Sequence, residues 1–465
     1  LLLTRGGRRE ALVRGWTAGV LTVVVIAAAP SSAGRGEARV NRSSPNILII
    51  LTDDQRDGLG MMPRTRKLFV NGGTRFPYAF ATTPLCCPSR ASILTGQYAH
   101  NHGVKANTWD DGTENFNART GLPYRLKSAG YTTALIGKYL NDWPFEEPPP
   151  YFDRYIRAEG RSYYGGLWNV NGVIGHLPGY STNIMADAAN LFISEQTARL
   201  QPWFLVVGTV APHKPSVPEN KYARTRVKRW RGNPAVTDEA RGRAKPLYVR
   251  ESRASLREGR RYRKQQLRTL ASVDDLVAEI FAALDDTSQD RNTLAFFMSD
   301  NAVMWGEYGL LEKGYPYTTS VRIPMMMRWP ARIREGGIDR RLVGNIDIAP
   351  TVLDAIGLHT DPAHPMDGRS LLDNAWTRDW ILLEYWRNMK KSIPWASLWS
   401  KKWQYIENYR GERFFELYDL MADPWQLDNL LVGGAPHKAP RASALREKLR
   451  QARACRGTDG PFACP

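Results

Sequence analysis

The chain has 465 residues, 43% hydrophobic and 24% charged, with 15 tryptophans, a composition that belongs to globular domains and excludes a disordered or low-complexity chain. Its 64 Lys and Arg outnumber 46 Asp and Glu, and the formal net charge of +18 points to an acidic substrate or surface. The length exceeds one simple core and indicates a large domain with a smaller one.

Arg5, Arg8, Arg9 and Arg14 precede the apolar run "AGVLTVVVIAAAP" and the small residues "SSAG". That order of basic, apolar and small residues predicts a secretory signal over residues 1–33, and so a secreted or periplasmic protein. The apolar run is too short to cross a bilayer, so no stable membrane span is expected. Four short apolar runs follow: "NILIIL" (46–51), "TTALIG" (132–137), "WFLVVGTV" (203–210) and "TLAFFM" (293–298). Bounded by breakers and lacking alternation, they read as buried parallel strands. Each leads into chemically capable residues: Asp53 and Asp54, then Lys138, then His213, then Asp300 and Asn301. A polar turn explains any one of these endings, but ligands of open α/β sheets bind at the carboxyl ends of the strands, where all four endings would meet.

Residues 221–268 hold seventeen Lys or Arg against four Asp or Glu. Two readings stand side by side, a solvated basic insertion and a surface for a polyanion. Next, "RTLASVDDLVAEIFAAL" sets Leu270, Val273, Val277, Ile280, Phe281 and Leu284 at helical spacing, predicting a buried crossover helix. After "MDGRSLLDNAW" the texture changes to short aromatic segments, "WILLEYW", "KWQYIENY" and "FFELYDLMADPWQLDNL", followed by a basic, Ala-rich helix. This predicts a small α+β unit from about residue 376 to 465.

Cysteine is used sparingly. Cys455 and Cys464 are close in sequence near the C-terminus and predict a small disulfide loop in an exported chain. Cys86 and Cys87 stand side by side in "TTPLCCPSRASILTG". Pro88 suits the first turn of a helix and Gly96 its stop, so both thiols belong at a helix N-terminus, where partial positive charge favours an anion. A buried structural pair or a dipole-activated thiol accounts for the cysteines but needs neither Ser89 nor Arg90.

The stretch from Cys86 to Arg90, "CCPSR", resembles the sulfatase signature, in which a separate formylglycine-generating enzyme oxidises the first cysteine. "LTDDQ", "GKYLND", "VAPHKP", "FMSDN", "LLEKGYPYTTSVRIPM" and "ELYDLMADP" resemble further sulfatase segments, in the family's order, from about Asn46 to about Leu430. The resemblance implies an alkaline-phosphatase-like α/β fold: a large, mostly parallel sheet flanked by helices over residues 45–375, with a smaller C-terminal subdomain over 376–465. It implies a sulfuric ester hydrolase using Cys86-derived formylglycine, because a geminal diol can attack sulfur with one hydroxyl and expel sulfate with the other. Arg90 would hold the hydrate, and Lys138, His213 and Lys313 would clamp the sulfate, with His213 or Lys313 protonating the leaving oxygen. Asp53, Asp54, Asp300 and Asn301, together with residue 86, would gather around a cation. Hard oxygen donors suit Ca²⁺, or Mg²⁺, rather than zinc.

One position departs from the pattern. Leu140 stands where many sulfatases carry a histidine, and "CCPSR" with "GKYLN" is similar to the branch of glucosamine-6-sulfatases and extracellular heparan sulfatases. Asn141 is then a candidate substrate contact, as is His102, with His100 beside it; both histidines read equally as loop residues. The substrate expected is a sulfated small molecule or polysaccharide, not a nucleic acid. Two alternatives remain at this point: a phosphonate or phosphate ester hydrolase of the same fold, and an inactive relative that binds polyanions through its basic insertion.

Overall fold

The computed structural model describes residues 44–199, 201–386, 393–409, 413–431 and 440–465; the signal expected over 1–33 lies outside them. Its centre is four parallel strands, β1 (Asn46–Thr52), β2 (Thr132–Gly137), β3 (Trp203–Gly208) and β4 (Thr293–Ser299), side by side in the order β4-β1-β3-β2. The third apolar run leaves the strand two residues before its own end, at Gly208. Strand Arg154–Ala158 continues the parallel set beyond β2, and short strands in mainly antiparallel pairing extend both edges to ten.

The unbroken apolar runs are explained by burial on both faces. Side chains alternate across a strand, and β1 sends Ile47, Ile49 and Leu51 into one core and Leu48 and Ile50 into the other. The first core includes Ala91, Ile93 and Leu94 of α1 (Cys86–Thr95). The second is built with α2 (Ser181–Gln196) and α3 (Leu256–Asp286), whose predicted stripe from Leu270 to Leu284 is buried.

α3 corrects one boundary. Residues 256–268, read as part of a basic insertion, form the first three turns of this 31-residue helix. Ser255 and Glu258 close a capping box at its start, Ser255 Oγ accepting from the Glu258 N–H and the Glu258 carboxylate accepting from the Ser255 N–H.

The C-terminal region forms a separate antiparallel meander of Ile381–Tyr385, Trp395–Trp399, Trp403–Asn408 and Phe414–Asp419. Leu445, Leu449 and Ala452 of helix Pro440–Ala452 pack against its Leu382, Leu398 and Tyr405. The Cys455–Cys464 disulfide is present. Among the described residues no helix is long and apolar enough to cross a membrane.

Candidate active site

Strand register places the carboxylates. Thr52 of β1 pairs with Ser299 of β4, so Asp53 and Asp300 leave adjacent strand ends together, and the Asp300 N–H donates to the Thr52 carbonyl at 3.0 Å. Two successive residues in a strand would point to opposite faces. Here β1 has ended, and Asp54 takes a left-handed conformation (φ 69°) that turns its carboxylate to the side of Asp53. That conformation is costly for a non-glycine residue. It is held by the Asp54 N–H donating to Asp300 Oδ1 at 3.1 Å and by Asn301 Nδ2 donating to Asp54 Oδ1 at 2.6 Å.

Lys138 arrives from the neighbouring pair. Gly137 of β2 faces Gly208 of β3, and a Cβ on Gly208 would lie 2.4 Å from the Lys138 carbonyl and 3.1 Å from Arg90 Nη1. Only glycine lets the chain pass this close. The Lys138 ammonium bonds the Asp53 carboxylate.

α1 is buried along its whole length and ends at Gly96, a left-handed cap with φ 71°. Its first turn is tied to the strand ends. Ser89 Oγ donates to the Asp300 carbonyl, Arg90 Nε donates to Asp300 Oδ2 at 2.9 Å, and Arg90 Nη1 donates to the Lys138 carbonyl at 2.9 Å. The two cysteines therefore differ. Cys86 Sγ lies 3.5 Å from Asp53 Oδ1 and accepts from Lys313 Nζ at 2.9 Å. Cys87 Sγ faces away, accepting from the Asn141 N–H at 2.9 Å, while its own N–H donates to Asn107 Oδ1. Burial pushes the Cys87 thiol up to about 12. Burial and then the Asp53 charge also raise the Cys86 thiol.

His213 and Lys313 complete the ring. His213 Nδ1 bonds the Lys214 carbonyl at 2.6 Å, which turns Nε2 toward Asp54 Oδ2 at 3.5 Å. Lys313 Nζ reaches Asp54 Oδ1 at 2.5 Å and Asp53 Oδ1 at 3.8 Å. Burial alone would raise the Asp53 carboxyl, but Lys138, His213, Lys313 and Arg90 outweigh it and hold it well below the ordinary range. Asp300 moves the other way, raised by burial and by the Asp53 charge. Lys313 is held far above its usual value, because Asp54 and its neighbours overcome desolvation.

The cluster has the ligand atoms to hold a metal ion. Asp53, Asp54, Cys86 and His213 each bring one ligand atom, all within 4.8 Å of one another. Asn301 Oδ1 is buried beside them without a hydrogen-bond partner among the described residues. An orphaned amide oxygen next to Asp53, Asp54 and Asp300 is what an oxygen-ligated ion satisfies.

The structure brings together Asp53, Asp54, Cys86, Arg90, Lys138, His213, Asp300, Asn301 and Lys313. It does not bring His102 there. Its Nε2 bonds Ser92 Oγ at 3.0 Å and its Nδ1 accepts from the Val104 N–H, so the ring is internal support for α1, and burial lowers it to about 3. His100 likewise bonds Glu384 and the Cys455 carbonyl. Asn141 sits beside Cys87 rather than Cys86, and with Lys138 and Trp143 lines a cavity of about 350 Å³. Leu140 is buried in the apolar core.

Sequence reading missed the groups that hold this arrangement. Asn345 Nδ2 donates to Ser89 Oγ at 2.8 Å, and Trp395 Nε1 donates to the Gly314 carbonyl at 2.8 Å, next to Lys313. Gln266 Nε2 donates to the Asp54 carbonyl at 3.2 Å. Each belongs to a distant segment with no local pattern; the one available signal, the Ser255–Glu258 capping-box spacing that starts the Gln266 helix, went unread.

Two family models match the chain: Sulfatase over residues 45–358 and the C-terminal region of N-sulphoglucosamine sulphohydrolase over 306–455. A putative extracellular sulfatase Sulf-1 homolog of Caenorhabditis elegans is 34% identical over 71% of this chain, which spans only 49% of that relative. Human N-acetylglucosamine-6-sulfatase is 30% identical over 83% of this chain and 81% of its own length. Among solved structures, one in complex with its substrate D-glucosamine-2-N,6-O-disulfate superposes with a TM-score of 0.77 at 22% identity, covering 88% of this chain and 97% of that one. At that identity the likeness establishes the alkaline-phosphatase-like fold.

Proposed function

Since the chain belongs to the sulfatase family, we propose that it hydrolyses a sulfate monoester on a sugar, of the glucosamine 6-sulfate class, after a separate enzyme has converted Cys86 to formylglycine. The observation that carries this reading is the divergence of two adjacent thiols. Cys86 faces the carboxylates and Lys313, and Cys87 is enclosed by the Asn141 loop. Relatives named for N-acetylglucosamine 6-sulfate and a fold neighbour solved with a glucosamine disulfate support the substrate class.

Asp53, Asp54, Asp300 and Asn301 would hold the cation, and their oxygens suit Ca²⁺, with Mg²⁺ the other candidate. Ion and formylglycine hydrate together would supply a hydroxyl nucleophile at neutral pH and a positive field for the sulfuryl oxygens. The remaining chemistry falls to this chain's own groups. Asp53, Asp54 and Asp300 offset Arg90, Lys138 and Lys313, all of them buried or nearly so, so a dication leaves a positive pocket that draws in a sulfate ester. Arg90 is fixed by Asp300 and the Lys138 carbonyl, and its buried Nη2 has no partner among the described residues, leaving its two N–H groups to orient the group at position 86. The Lys138 and Lys313 ammonium groups neutralise charge on the sulfate oxygens. His213, braced at Nδ1, presents Nε2 for delivering a proton to the leaving alcohol.

The protein functions outside the cytoplasm in this reading, supported by the basic and apolar N-terminal sequence and by the Cys455–Cys464 disulfide. Chain produced with the modifying enzyme is expected to release sulfate from N-acetylglucosamine 6-sulfate, with peptide mass showing aldehyde at 86 and thiol at 87. Cys86→Ser is expected to lose multiple turnover by about 10⁴-fold or more. Aldehyde at 87, or undiminished turnover by the serine variant, overturns the reading. Faster cleavage of a matched phosphonate monoester reassigns the same site to phosphonate ester hydrolysis.

A further inference from the structure

The basic stretch ahead of and within α3 is organised as a surface. Residues 225–230 run antiparallel along the first turns of the helix, fastened by arginine side chains to backbone carbonyls. Arg260 Nε donates to the Trp230 carbonyl at 2.7 Å, Arg263 Nη1 to that of Lys228 at 3.2 Å, and Arg268 Nε to that of Thr225 at 3.0 Å. The strip so fixed holds Arg226, Lys228, Arg229 and Arg231 exposed, and the helix beside it exposes Arg261 and Lys264. Among the described residues, none of these six has a carboxylate at ion-pair distance. Of the few acids nearby, Asp238 is engaged by Arg241 and Glu258 by the helix cap.

The strip is rooted at the active site. The Trp230 ring packs edge-on against Trp305 at 5.9 Å. Trp305 Nε1 donates to Gln266 Oε1 at 2.6 Å, and the same Gln266 donates to the Asp54 carbonyl. A monosaccharide ester needs only Arg90, Lys138, His213 and Lys313. A row of unneutralised cations repels itself, and a ligand with repeated negative charge relieves that repulsion. A polymer that brings the sulfate ester to the site also brings further sulfates to its margin, and planar guanidinium groups match such oxyanions in pairs.

We propose that this strip is a binding surface for an extended sulfated polysaccharide, which it grips while one sulfated sugar enters the site; the second clause rests on the sulfatase reading above. The test uses the full chain with Cys86→Ala, to prevent turnover, and a fluorescent heparin dodecasaccharide. Replacing Arg226, Lys228, Arg229 and Arg231 together with Gln is expected to weaken binding about tenfold or more at low salt and to flatten its salt dependence. In the background with cysteine at 86, the same replacements are expected to leave sulfate release from N-acetylglucosamine 6-sulfate unchanged. Equal heparin affinity with and without the four cations overturns the proposal, as does duplex DNA of the same charge binding as tightly as heparin. A chain that cleaves no sulfate ester yet loses heparin binding with those cations keeps the surface and overturns the catalytic reading instead.

Discussion

The active site and the strip along α3 treat charge in opposite ways. In the site, Asp53, Asp54 and Asp300 are buried within reach of Arg90, Lys138 and Lys313, and each ion is fixed by a partner of opposite sign. In the strip, Arg226, Lys228, Arg229 and Arg231 are exposed, and the donors that hold the strip in place come from other arginines bonding to carbonyls. Buried charge persists only when matched, because an unpaired ion in a low dielectric is costly. Exposed charge can stay unmatched because water and salt screen it. A matched cluster therefore indicates chemistry organised in advance, and an unmatched one a partner still to come.

The comparison breaks most sharply at Asp300. Asp300→Asn removes the carboxylate that holds Arg90 and accepts the Asp54 N–H. It is expected to reduce turnover by about 10³-fold or more and to destabilise the fold by about 3–5 kcal/mol, since Arg90 is left buried without its counter-ion. Adding Arg90→Met is expected to restore much of the stability, measured by denaturant unfolding, and none of the turnover. Recovery of both would reduce the Asp300–Arg90 pair to a structural role.

A smaller effect is expected where the C-terminal sheet supports the site. Lys313 sits on a loop whose next residue, Gly314, has φ 91° and packs against the Tyr385 ring; its carbonyl accepts from Trp395 Nε1, and Gln404 Nε2 bonds the Pro316 carbonyl. Trp395→Phe keeps an aromatic ring but deletes that donor and leaves a small cavity where the larger indole stood, costing about 2 kcal/mol. kcat is expected to fall about fivefold with KM for small esters nearly unchanged, because a loosened Lys313 is felt most in the transition state. An unchanged kcat would show that the C-terminal sheet leaves Lys313 alone.

This division also governs what the sequence reveals. The parallel strands were legible because burial on both faces leaves uninterrupted apolar runs, and the residues after them were legible because parallel strands deliver their ends to one edge. α1 was legible from Pro88 and Gly96. The support from Trp395, Gln404 and Asn345 was not, since those contacts join segments far apart in the chain and leave no periodic trace. His102 misled for a related reason: a histidine near the motif in sequence does not show that its ring turns inward to Ser92. In residues 221–268 the high charge hid a helix start, although Ser255 and Glu258 carry the capping-box spacing, because the buried face of its first turns is reduced to Gly259, Tyr262, Gln266 and Leu267.

The smallest effect has the opposite sign to the largest, and so bears most directly on the contrast. Deleting a matched charge at Asp300 destabilises; deleting unmatched charges from the strip relieves repulsion and exposes no buried partner. Arg226→Gln, Lys228→Gln, Arg229→Gln and Arg231→Gln together are therefore expected to raise the melting temperature, by on the order of 1 °C at low ionic strength, because like-charge neighbours each cost only a few tenths of a kcal/mol when exposed. The gain is expected to vanish by about 1 M salt, where the screening length falls to about 3 Å. Heparin should then raise the melting temperature of the unsubstituted chain more than that of the variant, since a ligand stabilises only the state that binds it. A variant that melts lower than the parent at every salt concentration would mean that these four side chains hold the strip in place, and the distinction drawn here between matched and unmatched charge would fail at this surface.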